Sequence, residues 1–212
     1  MVQRGDTLQD QERRRQEILK RYMQQLRQAL MKLIEQQKAQ ITLVEEAKVF
    51  DGLDAPMQLL WRNTLVVEQT ARAEPTTEPI AADISRAAAA QSQAVLTVRQ
   101  AQRELTLASQ RQSLAALERA LQELTRIEQQ AEAEQTSKQR NELRQQYETL
   151  AKRQEELRES ALKFSGQEVL ERRDRAAIVE LGQMQDEHRA EVKTLGEQVA
   201  STVVFNNLHT AM

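Results

Sequence analysis

The sequence predicts an all-α protein, built as an elongated coiled coil with antiparallel helical hairpins, and three observations lead to that fold class. No Gly or Pro occurs between Pro79 and Phe164, and these two residue types most reliably end helices. Aromatic residues make up 3% of the 212 positions and charged residues 29%, which is typical of coiled coils. Apolar residues also recur at alternating steps of three and four, as in a heptad repeat.

The first helix is expected over about residues 7–50, with Asp6 or Thr7 as its N-cap. Its apolar positions form one stripe at heptad spacing, and we call such a stripe a seam. The helix should end near Gly52, which suits a C-terminal cap, and Pro56 suits the first turn of a new helix.

Residues 1–74 are therefore predicted to form an N-terminal pair of helices that is broken near residues 51–56. The second helix of the pair is short and carries Trp61, the only tryptophan of the chain. We expect Trp61 to pack this helix against the longer ones, because a large apolar ring is most often buried. Two prolines make residues 75–79 the clearest linker, since proline interrupts a continuing helix.

Residues 80–212 are predicted to form a long helix, a turn near residues 165–169 and a C-terminal helix, which together make an antiparallel hairpin. Two offset seams in the long helix indicate a shift of register near Ala108. Between Glu128 and Glu142 the only apolar residues are two alanines, so this is expected to be the weakest part of the helix.

The seams are the predicted interaction sites, because an isolated helix in water is only marginally stable and a stripe of Leu and Val at heptad spacing needs a partner. The predicted interaction seam consists of Leu26, Leu30, Leu33, Leu114, Leu121, Leu143, Leu150, Leu157, Leu181, Val192 and Leu195.

Four glutamines also fall on the seams and are candidates for setting the register of the helices: Gln37, Gln91, Gln154 and Gln185. Three of them end a weak repeat of the form Leu-x-x-x-Gln. A seam amide can fix register at some cost in stability, because a misaligned amide would be buried without a partner. The abundance of Gln in this chain is the competing explanation. If the amides do set register, Gln154 and Gln185 should lie at one level, which needs a turn centred near Val169.

The composition argues against several functional classes. Lys plus Arg is 30 and Asp plus Glu is 32, with both signs interspersed, whereas a nucleic-acid-binding chain usually carries a basic stripe. The chain has no cysteine, and no phosphate loop or nucleophile motif is recognisable. His188 is expected to be a packed seam residue without a metal, since no second ligand lies on its helix face. We therefore predict no catalytic residue, no cofactor and no metal site.

The segments LAKRQEELRES (residues 150–160) and ERRDRAAIVELGQMQDEHRAEV (residues 171–192) resemble the helical hairpins of large, poorly characterised bacterial coiled-coil proteins that are often attached to the cell envelope. His188 stands where those proteins usually have Leu. The resemblance implies an envelope-associated scaffold and slightly favours an extracytoplasmic or envelope location, and it implies no catalytic residues.

The predicted function is a non-enzymatic scaffold or spacer that binds a helical protein partner or itself, as part of a larger cell-envelope protein. One alternative is a chromosome- or nucleic-acid-associated coiled-coil arm, although the balanced charge argues against nucleic acid as a partner. Another is a peripheral membrane protein that uses the helix around Trp61 at the interface. Otherwise, membrane attachment is expected only through segments outside this sequence.

Overall fold

The computed structural model describes residues 2–165 and 171–201, and every regular element within these ranges is helical. The all-α fold class is therefore confirmed. The elements in chain order are α1 (Val2–Glu46), α2 (Asp54–Arg72), a short 3-10 turn (Pro75–Thr77), α3 (Glu78–Arg99), α4 (Arg103–Leu162) and α5 (Arg172–Ser201). In the described part of the chain, no helix has a segment both long and apolar enough to cross a bilayer.

The first two helices differ from the prediction at their ends. Helix α1 begins at Val2, so that Asp6 and Thr7 lie inside the helix and are not its cap. It also ends earlier, at Glu46. Gly52 then adopts a φ of +79° in the connection, a left-handed conformation that glycine reaches at little cost.

The chain divides into two compact units, unit 1 (Met1–Ala131) and unit 2 (Glu132–Met212). The division falls within the predicted weak stretch of α4, and the proline-containing segment at residues 75–79 lies inside unit 1. That segment is tied into the fold, since the buried Thr77 donates a hydrogen bond from Oγ to the Ala71 carbonyl oxygen at 2.8 Å. It therefore connects two packed helices of one unit.

The long uninterrupted helix expected after residue 80 is two helices. Helix α3 ends at Arg99, and Ala101 takes a φ of +53°. The Ala101 N–H donates to the Val98 carbonyl at 3.0 Å and the Gln102 N–H donates to the Thr97 carbonyl at 3.0 Å. These two hydrogen bonds define a Schellman motif, the usual way of ending a helix, with Ala where Gly is usual. The offset between the two predicted seams came from this turn, several residues before Ala108.

Unit 1 is an up-down-up-down four-helix bundle. Helices α1 and α4 run antiparallel, because Lys38 pairs with Glu118 at 3.4 Å and, further along α1, Glu45 pairs with Arg111 at 2.9 Å. The other neighbours are joined in the same antiparallel manner by short connections. Their contacts are Tyr22 with Thr70 for α1 and α2, Asp54 with Arg99 for α2 and α3, and Asp83 with Arg119 for α3 and α4.

Two apolar clusters fill the bundle. The larger draws buried side chains from all four helices, among them Leu30, Leu60, Ile84 and Leu117. The smaller lies at the other end, where the chain leaves α1 and enters α2, and contains Val44, Met57, Val95 and Val98. Burial of large aliphatic side chains contributes roughly 1.5–3 kcal/mol each, so these clusters stabilise unit 1.

Unit 2 contains the rest of α4 and α5, and it buries far less. Among its described residues, only Leu157, His188 and Leu195 are fully buried. The predicted turn near residues 165–169 falls mostly on residues 166–170, which lie outside the described residues. Ser165, just before them, already belongs to a turn.

Candidate interaction surface

A layer of amide side chains lies between the two apolar clusters of unit 1. Gln37 of α1 and Gln91 of α3 are 1% and 3% exposed. The Gln37 Oε1 accepts hydrogen bonds from the Gln91 Nε2 and from the Ser113 Oγ of α4, each at 3.0 Å. Three helices are thus joined at one level inside the bundle, and two of the four predicted seam amides contact each other.

Unit 1 also buries an amide that the sequence pattern did not single out. Gln110 is fully buried on α4, and neither its Nε2 nor its Oε1 makes a hydrogen bond with the protein. Gln110 lies three positions after Leu107 and three before Ser113, so extending the α4 seam backwards through polar residues would have found both. A buried amide without its hydrogen bonds lowers stability, so we expect the burial of Gln110 to destabilise unit 1.

The seam leucines of unit 1 pack within the chain. Leu26, Leu30 and Leu33 lie in the large cluster, and Leu114 and Leu121 are partly buried against it. They hold the chain's own four helices together, because the turn at Ala101 returns α4 beside α1. These five predicted seam residues are therefore not an open binding surface.

In unit 2 the heptad positions fall into two sets of opposite exposure. One set is covered: Leu157 and His188 are buried, and Leu143, Leu150 and Leu181 are half-buried. Leu195 is also buried, and Phe164 is half-buried. These residues repeat every seven positions on each helix, as expected for side chains that face a neighbouring helix.

The other set is exposed and forms what we call the uncovered face. On α4 it comprises Tyr147, Gln154 and Ala161, and on α5 it comprises Ile178, Gln185 and Val192. The three large apolar members remain 45% (Tyr147), 37% (Ile178) and 42% (Val192) exposed. Half of the heptad positions of both helices thus lie in contact with solvent, including the predicted seam residue Val192.

The remaining two seam amides meet at the middle of the uncovered face. The Gln185 Nε2 donates a hydrogen bond to the Gln154 Oε1 at 3.3 Å, so the expectation that they lie at one level is confirmed. That they set the register stays a prediction. On one side of this pair is an open apolar groove of about 390 Å³, lined by Leu157, Ala161, Phe164, Ser165, Ile178, Leu181, Gly182 and Gln185.

Charged side chains flank the face. The Arg153 guanidinium binds the Glu191 carboxylate at 2.9 Å and approaches Glu187 at 3.7 Å, which ties α4 to α5. Arg158 donates to Glu155 on its own helix at 2.9 Å, and this hydrogen bond raises the pKa of the Arg158 guanidinium. All of these pairs are solvated, so each contributes little to stability.

The uncovered face consists of apolar and amide side chains at heptad spacing, which suits contact with another helix. Within the described residues there is no group of three or more His, Asp or Glu side chains that could hold a metal ion. His188 is buried in the covered set of unit 2, with its Nδ1 making no hydrogen bond to the protein.

We found no match to the chain among protein-family models, curated protein sequences or solved structures.

Proposed function

We propose that this protein is a non-enzymatic helical scaffold in which unit 1 is a self-contained bundle and unit 2 is a docking arm for another helix or helix pair. The observation that carries the proposal is the uncovered face. Its apolar side chains repeat at heptad spacing, and such a stripe is stabilised when a second helical surface covers it.

In this proposal the arm is an antiparallel helical hairpin made of α4 and α5. Three sets of contacts support it, in which residue numbers fall on α5 as they rise on α4. Arg153 pairs with Glu191, Gln154 bonds to Gln185, and Ala161 lines one groove with Ile178. A hairpin of two helices encloses only one side of each seam, which accounts for the exposure of the other side.

A direct test uses a fluorescent synthetic peptide that folds as an amphipathic helix with a Leu–Ile heptad seam. Fluorescence anisotropy should show saturable binding of this peptide to the full chain. Val192→Asp should weaken the binding, because it places a charge in an apolar contact.

The chain offers a matched control on the same helix. Val179 is 62% exposed and lies outside the uncovered face, so Val179→Asp should leave peptide binding unchanged. Absence of saturable binding, or equal loss in the two variants, would contradict the proposed role. Circular dichroism of both variants in dilute solution checks that wild-type helicity is kept, so that a loss of binding can be separated from a loss of helix.

A further inference from the structure

We propose that the occupant of the uncovered face is the same face of a second copy of this chain, turned end for end. The inference rests on the proposed function and adds the identity of the partner. In such a dimer, the unit 2 helices of two chains would form a four-helix bundle, as the four helices of unit 1 do within one chain.

The face is symmetric about its amide pair. On α4, Tyr147 and Ala161 lie seven residues before and after Gln154; on α5, Ile178 and Val192 lie seven residues before and after Gln185. Seven residues correspond to about 10 Å along a helix. A second copy rotated by a half-turn about the amide level therefore brings amides to amides and apolar residues to apolar residues.

The end-for-end arrangement also matches large residues to small ones. Tyr147 of one copy meets Ala161 of the other, beside the open groove of about 390 Å³. Val192 of one copy meets Ile178 of the other, so two branched apolar side chains lie in contact there. With the copies aligned in the same direction, the two Tyr147 side chains would share one level and the two Ala161 side chains would leave their level underfilled. Packing at native density favours the alternation of large and small residues.

Charge favours the same orientation. The start of α5, residues 172–175, contains three arginines and one aspartate. The rest of α5, residues 176–201, contains five acidic and two basic residues. Turning one copy end for end places the basic start of each α5 opposite the acidic remainder of the other, whereas the aligned orientation leaves both basic starts at the same end of the interface.

The available area is sufficient for a stable dimer. Helix α5 has 30 residues, which corresponds to about 45 Å of length. Two helices packed side by side are roughly 20 Å wide. The side of the two helices that carries the uncovered face therefore measures about 40 by 20 Å and offers on the order of 800 Å² per copy, which is what specific interfaces typically bury on each partner.

The first experiment measures the molar mass of the full chain by light scattering over a dilution series. We expect a reversible change from twice the chain mass of 24.3 kDa to the chain mass itself. Val192→Asp should weaken association by more than about tenfold, because it buries an unpaired charge. Val179→Asp should leave the dissociation constant unchanged.

The second experiment determines the orientation by disulfide cross-linking, which is simple in a chain without cysteine. Tyr147→Cys mixed with Ala161→Cys should give a cross-linked dimer under mild oxidation. Tyr147→Cys alone should not, because its two copies would lie about 21 Å apart along the helices and a disulfide needs Cα atoms within about 7 Å.

A chain that stays at 24.3 kDa at every concentration would overturn the self-association. The proposed function would survive that result if the helical peptide still binds and Val192→Asp still weakens it. A dimer that Val192→Asp does not weaken would also overturn the inference. Cross-linking of Tyr147→Cys with Val192→Cys in place of Ala161→Cys would overturn the end-for-end orientation.

Discussion

In unit 1 the amides of Gln37 and Gln91 meet inside a closed bundle, whereas in unit 2 the amides of Gln154 and Gln185 meet at the surface. Both pairs lie on heptad seams, and both join two helices of the chain. The difference is the number of helices around them. The four helices of unit 1 bury or half-bury all five predicted seam leucines of that unit, while the described helices of unit 2 cover one set of heptad positions and expose the other.

This comparison shows that a heptad stripe does not by itself define a binding surface. Leu30 and Val192 both lie on predicted heptad seams, yet Leu30 is buried between helices of unit 1 and Val192 is exposed in unit 2. The chain uses the same pattern to stabilise one unit and, as we propose, to bind a partner with the other. The two uses should differ strongly in their response to mutation.

The largest difference is expected for truncation of apolar side chains. Leu117→Ala should destabilise unit 1 by about 2–5 kcal/mol, because Leu117 is fully buried in the large cluster. Val192→Ala should cost less than about 0.5 kcal/mol in the dilute chain. Trp61 lies in unit 1 and is the only tryptophan, so denaturation followed by its fluorescence reports on that unit, and far-UV ellipticity reports on both. Similar losses for the two variants would remove the distinction between the units.

The second-largest difference in stability is expected for substitutions in the two amide pairs. Gln37→Leu leaves the Gln91 Nε2 and the Ser113 Oγ buried without their common acceptor, at a cost of about 1–3 kcal/mol. Gln154→Leu removes an exposed hydrogen bond and should change the stability of the dilute chain by less than about 0.5 kcal/mol. The measurement is the urea midpoint of each variant. A Gln37→Leu protein more stable than wild type would show that the layer is tolerated and not required.

A smaller gain is expected at the turn that creates the bundle. Ala101 has a φ of +53°, which an L side chain adopts with strain, so Ala101→Gly should stabilise unit 1 by about 0.5–1 kcal/mol. Ala89 on the exposed side of α3 is the control, because glycine inside a helix costs roughly 0.5–1 kcal/mol. Trp61 fluorescence should give opposite shifts for the two variants. Loss of stability in Ala101→Gly would argue against the left-handed turn.

The ion pairs should give the smallest effects. Arg153→Ala removes the exposed link to Glu191 and should cost about 0.2–1 kcal/mol at low salt and nearly nothing at high salt. In unit 1, Arg27 pairs with Glu128, whose side chain is 20% exposed against 52% for Glu191, and it also donates to the Thr125 Oγ. The hydrogen bond to Glu128 raises the pKa of Arg27. The loss of stability caused by Arg27→Ala should therefore be less sensitive to high salt than the loss caused by Arg153→Ala. Equal salt dependence would show that both pairs are screened alike.

The helices and most of the buried seam could be predicted because heptad spacing decides which residues share one side of a helix. The break after Arg99 could not, since the Schellman motif there uses Ala101 and the sequence contains no Gly or Pro at that point. Missing this turn concealed the four-helix bundle. Ser113 and Gln110 were missed for a related reason, because a search for apolar residues passes over a polar layer.

Which residues of the candidate surface are exposed could not be predicted from the sequence either. Leu150 and Gln154 both lie on the predicted seam of α4, and spacing alone does not distinguish them. Their burial depends on which side of α4 the next helix covers, and that is set by tertiary packing. The pairing of Gln154 with Gln185 was the exception, since the repeat around both residues indicated a common level.

The stretch of α4 between Glu132 and Glu142 has a further consequence. Every side chain in it is exposed except the half-buried Thr136, so the helix there is held by its own backbone hydrogen bonds, and isolated helical segments shorter than about 12–15 residues are marginal. Its amide hydrogens should exchange with deuterium faster than those near Leu117. Trypsin should cut first at Lys138 or Arg140, separating the two units while each is still folded.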